Sequence, residues 1–302
     1  MTQTEAAKTP VRPTIVVGVD GSHANLGALM WAADEAQRIG ADVQLVAAIV
    51  QELRNHADML FSGPVIDQEI QASLTAAQRL LREALPGQGE IDTQMIVGHA
   101  AKVLAKSSRH AARLVMGRRG RGTFGRLLLG SVSTAGASRS EVPAVVVPSS
   151  WHPNAHHTEA VVVGVDGTSR SDDAIRFAFD MAQRRNVPLK AVHVSNIDEL
   201  LMWAPPDLVV QPLWRKAANE TLERSLAAWQ DTYPGVTVTR VVRNGHPVEV
   251  LVDDASDAQA LVVGGHPHRR PAGAMLGSVA LGVLAHAQPP VVVVHERRAR
   301  RA

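Results

Sequence analysis

A chain of 302 residues exceeds one ordinary hydrophobic core and suits two domains of about 150 residues each. Its 45% hydrophobic and 20% charged residues are those of a globular protein, which excludes a disordered or fibrous chain. A net charge of +2 with one Tyr, four Phe and five Trp argues against a nucleic-acid partner, and the lack of cysteine excludes disulfides, thiolate zinc sites and cysteine nucleophiles.

Along the chain, the polar stretch from Met1 to Pro13 has no apolar signal-peptide core, and no apolar run reaches bilayer length. The expected location is the cytoplasm, without a membrane partner. Strands are expected near 14–20, 42–49, 90–97, 113–117 and 143–148, with helices near 23–39, 67–84, 100–111 and 130–140. The first helix carries an apolar stripe at Leu26, Leu29, Met30 and Ala33, the spacing of a half-buried helix. Short apolar runs that alternate with helical patterns predict βαβ units and a parallel sheet.

This order then repeats. Ile15-Val16-Val17-Gly18-Val19-Asp20-Gly21-Ser22 returns as Val161-Val162-Val163-Gly164-Val165-Asp166-Gly167-Thr168, so Ile15 maps to Val161 at an offset of 146 residues. Farther on the offset is 147: Gly98-His99 matches Gly245-His246, Gly117 matches Gly264, Gly130-Ser131 matches Gly277-Ser278, and Pro143 matches Pro290. The domains are placed at 13–148 and 160–295, joined by a polar linker at 149–159. The apolar runs Val142–Val147 and Pro289–Val294 would be edge strands, and exposed apolar edges invite pairing. In copy two, Trp203, Trp214 and Trp229 punctuate a proline-broken helical region and read as packing residues.

In an open parallel sheet, ligands bind at the carboxyl ends of the strands, where strand order reverses. The repeated residues cluster there. Gly117-Arg118-Arg119-Gly120 opens a loop, and Gly130-Ser131-Val132-Ser133 starts the next helix. Glycines permit close backbone approach, and a helix N-terminus presents free N–H groups, a combination suited to phosphates. Ser131 and Ser133 offer hydroxyls, while Arg118, Arg119, Arg121 and Arg126 line the same loop. Asp20 and Asp166 read either as turn formers or as ligand contacts. Histidines at 156, 157, 266 and 268 lack the spacing of a metal site.

The pattern of Gly, two residues, Gly, nine residues, Gly and Ser, with an Asp ending the first strand, resembles the universal stress protein family in its tandem, ATP-binding form. The resemblance spans both halves. It implies two doubly wound α/β sheets of strand order 3-2-1-4-5, joined as a pseudo-dimer within one chain by pairing of Val145–Val147 with Val291–Val293 about a pseudo-twofold axis. In copy one it places Asp20 and Ala48 at adenine, Gly117 near the ribose, and Gly120, Gly130, Ser131, Val132 and Ser133 at the phosphates. Asp166, Val194, Gly264, Gly277, Ser278 and Val279 hold the matching places in copy two. There Pro267 replaces the second motif glycine and Ala280 replaces Ser133, so weaker binding is expected. The implied ligand is ATP, with Mg²⁺ arriving alongside its phosphates. The implied role is regulatory, in a homodimer of the two-domain chain with an unidentified protein partner. The rival readings are a slow ATP-hydrolysing enzyme and an interaction module without nucleotide. The chain has no Gly-x-x-x-x-Gly-Lys-Ser/Thr loop and no kinase catalytic set.

Overall fold

The computed structural model describes residues 12–22, 25–55, 65–120, 129–153, 159–197, 210–265 and 276–296. Arg121, Arg126, His156, His157, Trp203, His266, Pro267, His268 and the basic tail Arg297–Ala302 lie outside the described residues.

Copy one runs β1 (Thr14–Gly18), α1 (Leu26–Ile39), β2 (Asp42–Ile49), α2 (Val65–Ala84), β3 (Ile91–Val97), α3 (Ala100–Ser107), β4 (Arg113–Gly117), α4 (Ser131–Arg139) and β5 (Ala144–Val147). Copy two runs β6 (Val161–Val165), α5 (Asp172–Arg185), β7 (Leu189–Ser195), α6 (Val210–Thr232), β8 (Val238–Asn244), α7 (Pro247–Asp254), β9 (Ala260–Gly264), α8 (Ser278–His286) and β10 (Val291–Val294). Glycines in the left-handed region turn the chain after β3 and β8: Gly98 has φ 146° and Gly245 has φ 138°. An L side chain resists that conformation, which explains why these glycines repeat. Pro212 lies in the first turn of α6, where its missing N–H costs no helical bond, so the helix continues through it.

Each half has the expected strand order, and the halves are joined edge to edge. The full order is β3-β2-β1-β4-β5-β10-β9-β6-β7-β8, a single ten-stranded sheet. Every pair within a half is parallel, whereas β5 and β10 pair antiparallel, with Val291 opposite Val146, Val292 opposite Val145 and Val293 opposite Ala144. Both strands are buried along their whole length. Helices cover both faces and neighbours occupy both edges, so no position calls for a polar residue and the sequence reads as unbroken valine.

One face carries α1, α2, α5 and α6 over a core that includes Trp31, Leu45, Phe179 and Leu222; the other carries α3, α4, α7 and α8. Of the apolar stripe expected on α1, Leu29, Met30 and Ala33 pack on the core and Leu26 does not. Leu26, the first residue of the helix, is 47% exposed, while Trp31 is fully buried. The helix meets α5 of copy two as well as its own sheet, and that second neighbour widens the buried face.

At this α1–α5 contact a buried charge cluster ties the copies together. Glu35 accepts from Arg113 at 3.2 Å and from Arg185 at 2.7 Å, and Arg185 also meets Asp34 at 3.0 Å. The Arg113 guanidinium lies 4.5 Å from the Phe177 ring centroid, and that of Arg185 lies 5.7 Å from Trp31. Such a cluster adds little net stability over an apolar core, but losing one partner strands a buried charge, at about 3–5 kcal/mol. The cluster joins the copies at a second place besides the β5–β10 pairing.

Candidate functional site

A cavity of about 830 Å³ opens at the carboxyl ends of β1, β2 and β4 in copy one. Asp20, Ala48, Gly117, Gly120, Gly130, Ser131, Val132 and Ser133 all line it. Its other walls come from Ala47 and Ile49 of β2, from Ile66, Glu69, Ile70 and Ser73 of α2, and from Arg119. One side is thus apolar and the other is built of glycines and backbone.

The glycine loop is held at its base by main-chain bonds. Arg118 N donates to Val147 O at 2.8 Å, and Gly130 N donates to Arg118 O at 2.9 Å. Gly130 is the N-cap of α4, with extended φ −75° and ψ 145°, and its own lack of a side chain leaves the helix end uncapped. The first amides of a helix have no partner within it, so those of Ser131, Val132 and Ser133 are available to an anion. The Ser133 hydroxyl is already committed, donating to Gly117 O at 2.6 Å. Ser133 therefore braces the loop against β4, and the donor it leaves for a ligand is its N–H. A Cβ on Gly120 would lie 2.5 Å from Asp20 Oδ2, so any side chain there forces the loop away from Asp20.

Asp20 is a turn former in fact. Its Oδ1 accepts from Ser22 N at 3.0 Å and from Ser22 Oγ at 2.7 Å. Asp166 does the same with Thr168 N at 2.8 Å and Thr168 Oγ1 at 2.9 Å. The turn alone accounts for the recurrence of this aspartate, and in copy one it also sets the carboxylate at the cavity wall.

Asn25 escapes sequence reasoning. It lines the cavity and is only 5% exposed, and its Nδ2 has no hydrogen-bond partner among the described residues. A buried amide donor left unpaired costs about 1–3 kcal/mol, which a ligand acceptor offsets. Its counterpart in copy two, Ser171, is satisfied by Thr168 O at 2.8 Å. No motif flags position 25.

Copy two keeps this backbone but carries different side chains beside it. Gly264 ends β9, Gly277 caps α8 with φ −63° and ψ 155°, and Gly277 N donates to Gly265 O at 3.2 Å, so Ser278 and Val279 start α8 as Ser131 and Val132 start α4. Val194, like Ala48, packs toward the α3, α4, α7 and α8 face. The difference lies beside it. Where copy one has Ala47, copy two has His193, whose buried ring meets Val165 O through Nδ1 at 2.8 Å. Trp214, on α6, donates Nε1 to Ser195 Oγ at 2.7 Å, and a Cβ on Gly167 would lie 2.5 Å from Thr221 Cγ2. His193 thus sets a ring where copy one has only the Ala47 methyl at the cavity wall, and Trp214 and Thr221 of α6 approach the same strand ends. Charge differs too: the Asp172 carboxyl is pushed up by burial first, then by Asp173, Asp166 and Glu296 around it. Leu26 and Ser149 stand in copy one where copy two has Asp172 and Glu296.

The arginine run does not act together. Arg119 lines the cavity, while Arg118 turns away to donate to Ala287 O in copy two. Burial, and then the charge of Arg119, lower the Arg118 guanidinium to about 10, which leaves it protonated at neutral pH. Among the described residues, no helix is long and apolar enough to cross a membrane.

Comparison with known proteins agrees with this architecture. The model of the universal stress protein family matches twice, over residues 12–148 and 157–295. A universal stress protein of Mycolicibacterium smegmatis is 34% identical over 295 residues, covering 94% of this chain and 97% of its own length. One from Mycobacterium tuberculosis is 34% identical over 304 residues, covering 92% and 94%. The crystal structure of a universal stress protein from Archaeoglobus fulgidus superposes with a TM-score of 0.68 at 18% identity, covering 94% of this chain and 98% of that one, a likeness of fold. The chain belongs to the universal stress protein family, as a tandem member with two family domains in one polypeptide.

Proposed function

We propose that this chain is an ATP-binding regulator that holds one nucleotide, in copy one. The observation that carries the reading is the cavity itself. Its size falls in the range of about 300–1,000 Å³ typical of small-molecule sites, and its two kinds of wall match the two ends of a nucleotide. The base fits the apolar side, between Ala47, Ala48 and Ile49 of β2 and Ile66 and Ile70 of α2. Phosphates fit the loop Gly117–Gly120 and the amides of Ser131–Ser133, where the α4 dipole favours negative charge by about 0.3–1 kcal/mol. Arg119 supplies charge at the same wall. Mg²⁺ would enter with the phosphates and keep most of its waters.

In this reading copy two is a scaffold with the same backbone and a closed base cleft. Nucleotide occupancy acts on the loop 118–129 and so on the surface offered to a protein partner. The chemistry is binding rather than turnover. Calorimetric titration with ATP, joined to mass spectrometry of nucleotide released on denaturation, is the test: saturable binding at one site per chain is expected. Failure to bind ATP, ADP or AMP, with none released, overturns the reading, and ATP turnover near 1 s⁻¹ or faster overturns its regulatory part.

A further inference from the structure

Two side-chain bonds break the pseudo-twofold symmetry: one ties the start of copy one's glycine loop to the end of α8, and the other ties the residue after β10 to the last turn of α4, the helix that this loop enters. Arg118, in the first turn of the glycine loop, donates Nη2 to Ala287 O, at the C-terminal end of α8. His295, just past β10, meets Ala137 O in α4 through Nε2 at 2.8 Å. At an offset of 147, the counterpart of Arg118 is Gly265, which has no side chain, and that of His295 is Pro148, which has no donor. Neither bond can therefore form in the reverse direction.

The glycine at 265 is itself required. A Cβ there would run into the His295 ring, so the absence of a side chain in copy two makes room for the residue that reaches into copy one. Arg118 is well placed to transmit strain. Its N–H holds Val147 O and its carbonyl receives Gly130 N, the N-cap of α4, so the loop cannot shift without moving the guanidinium. That cation sits at carbonyls of the α8 C-terminus, the end of a helix that favours positive charge. Among the described residues it forms no ion pair with a carboxylate and its Nε has no partner, and its guanidinium is anchored on α8 through Ala287 O.

We infer that Arg118 and His295 are positioning residues through which copy two holds the phosphate loop of copy one in shape, and through which α8 senses whether that loop is occupied. The inference rests on the ATP reading of copy one. Coupling between sites is reciprocal: if α8 favours the binding-competent loop, ATP must in turn stabilise the end of α8.

The test is hydrogen exchange on the full chain with and without saturating ATP, beside calorimetric affinity, for the wild type, Arg118→Ala, Arg118→Lys and His295→Phe. In the wild type, ATP is expected to slow exchange at the C-terminal end of α8, including the Ala287 amide that donates to Val283 O at 2.9 Å. Arg118→Ala should weaken ATP roughly tenfold, within the usual 5–150-fold range of intersite coupling, and abolish the effect on α8 even at saturation. Arg118→Lys, which keeps a cation and donors, should restore most of both. His295→Phe keeps a ring over Gly265 but loses the bond to Ala137, and should weaken ATP severalfold whether or not Arg118→Ala folds. ATP binding without any change in α8 overturns the coupling and leaves the ATP reading standing. Slowed exchange that persists in Arg118→Ala, or wild-type affinity in His295→Phe, also overturns it, and no ATP binding in the wild type overturns both.

Discussion

The two copies share a strand order, a glycine-capped fourth helix and the same aspartate turn, yet they set different side chains at the strand ends where copy one opens a cavity. The difference lies in a few side chains laid on a common backbone. Ala47 against His193, Asn25 against Ser171, and Leu26 and Ser149 against Asp172 and Glu296 give copy two a bulkier wall and more carboxylates at this end of the sheet. The comparison teaches that a duplicated fold can keep the backbone of its glycine loop while the side chains around that loop diverge. The motif glycines that remain serve the chain path: Gly277 N still bonds Gly265 O as Gly130 N bonds Arg118 O.

The largest expected effect tests whether the copies form one cooperative body. Glu35→Ala leaves Arg113 and Arg185 buried without their carboxylate, and should cost about 3–5 kcal/mol in denaturant unfolding. The transition should remain single. Two separate transitions would mean that the copies unfold independently and the α1–α5 cluster is incidental.

Next comes the site itself. In Gly130→Asp the new side chain starts 3.2 Å from Arg118 O and sets a carboxylate where phosphates are expected, so ATP affinity should fall at least about a hundredfold, or some 2.7 kcal/mol. The matched change Gly277→Asp should leave ATP titration unchanged. Equal losses in both variants would erase the proposed asymmetry.

A smaller loss follows from Asn25→Ala. One hydrogen bond is worth about 0.5–1.5 kcal/mol, or roughly threefold to tenfold in affinity. Wild-type ATP affinity in this variant would show that the orphan Nδ2 faces no ligand acceptor. The smallest effect is a gain. His193→Ala copies Ala47 and clears part of the copy-two cleft, yet Trp214, Thr221 and the acidic mouth remain, so any second ATP event should strengthen by no more than about tenfold. A second site equal to the first would make His193 the sole barrier.

Much of this was legible in the residues. The offset repeat gave the tandem order, the unbroken Val runs foretold the β5–β10 junction, and the glycine spacing pointed to residues that now surround one cavity. What sequence could not supply depends on direction and distance in space. Whether His193 faces the cleft depends on strand pleat and on how closely α6 approaches, and neither is written in a local pattern. The Glu35–Arg185 bond spans residues 150 apart in sequence and exists only because β5 meets β10. Arg118 and Arg119 look alike as neighbours, but one lines the cavity and the other crosses to copy two. Leu26 fits an apolar stripe and is nevertheless exposed, because the chain enters α1 at that residue.

The central claim is a single open nucleotide site in copy one of a two-copy chain, and native mass spectrometry of the intact protein titrated with ATP tests it most directly. The account predicts that one ATP binds per chain and that this adduct disappears in Gly130→Asp but persists in Gly277→Asp. Two ATP per chain of similar affinity, or an adduct that survives Gly130→Asp, would contradict it.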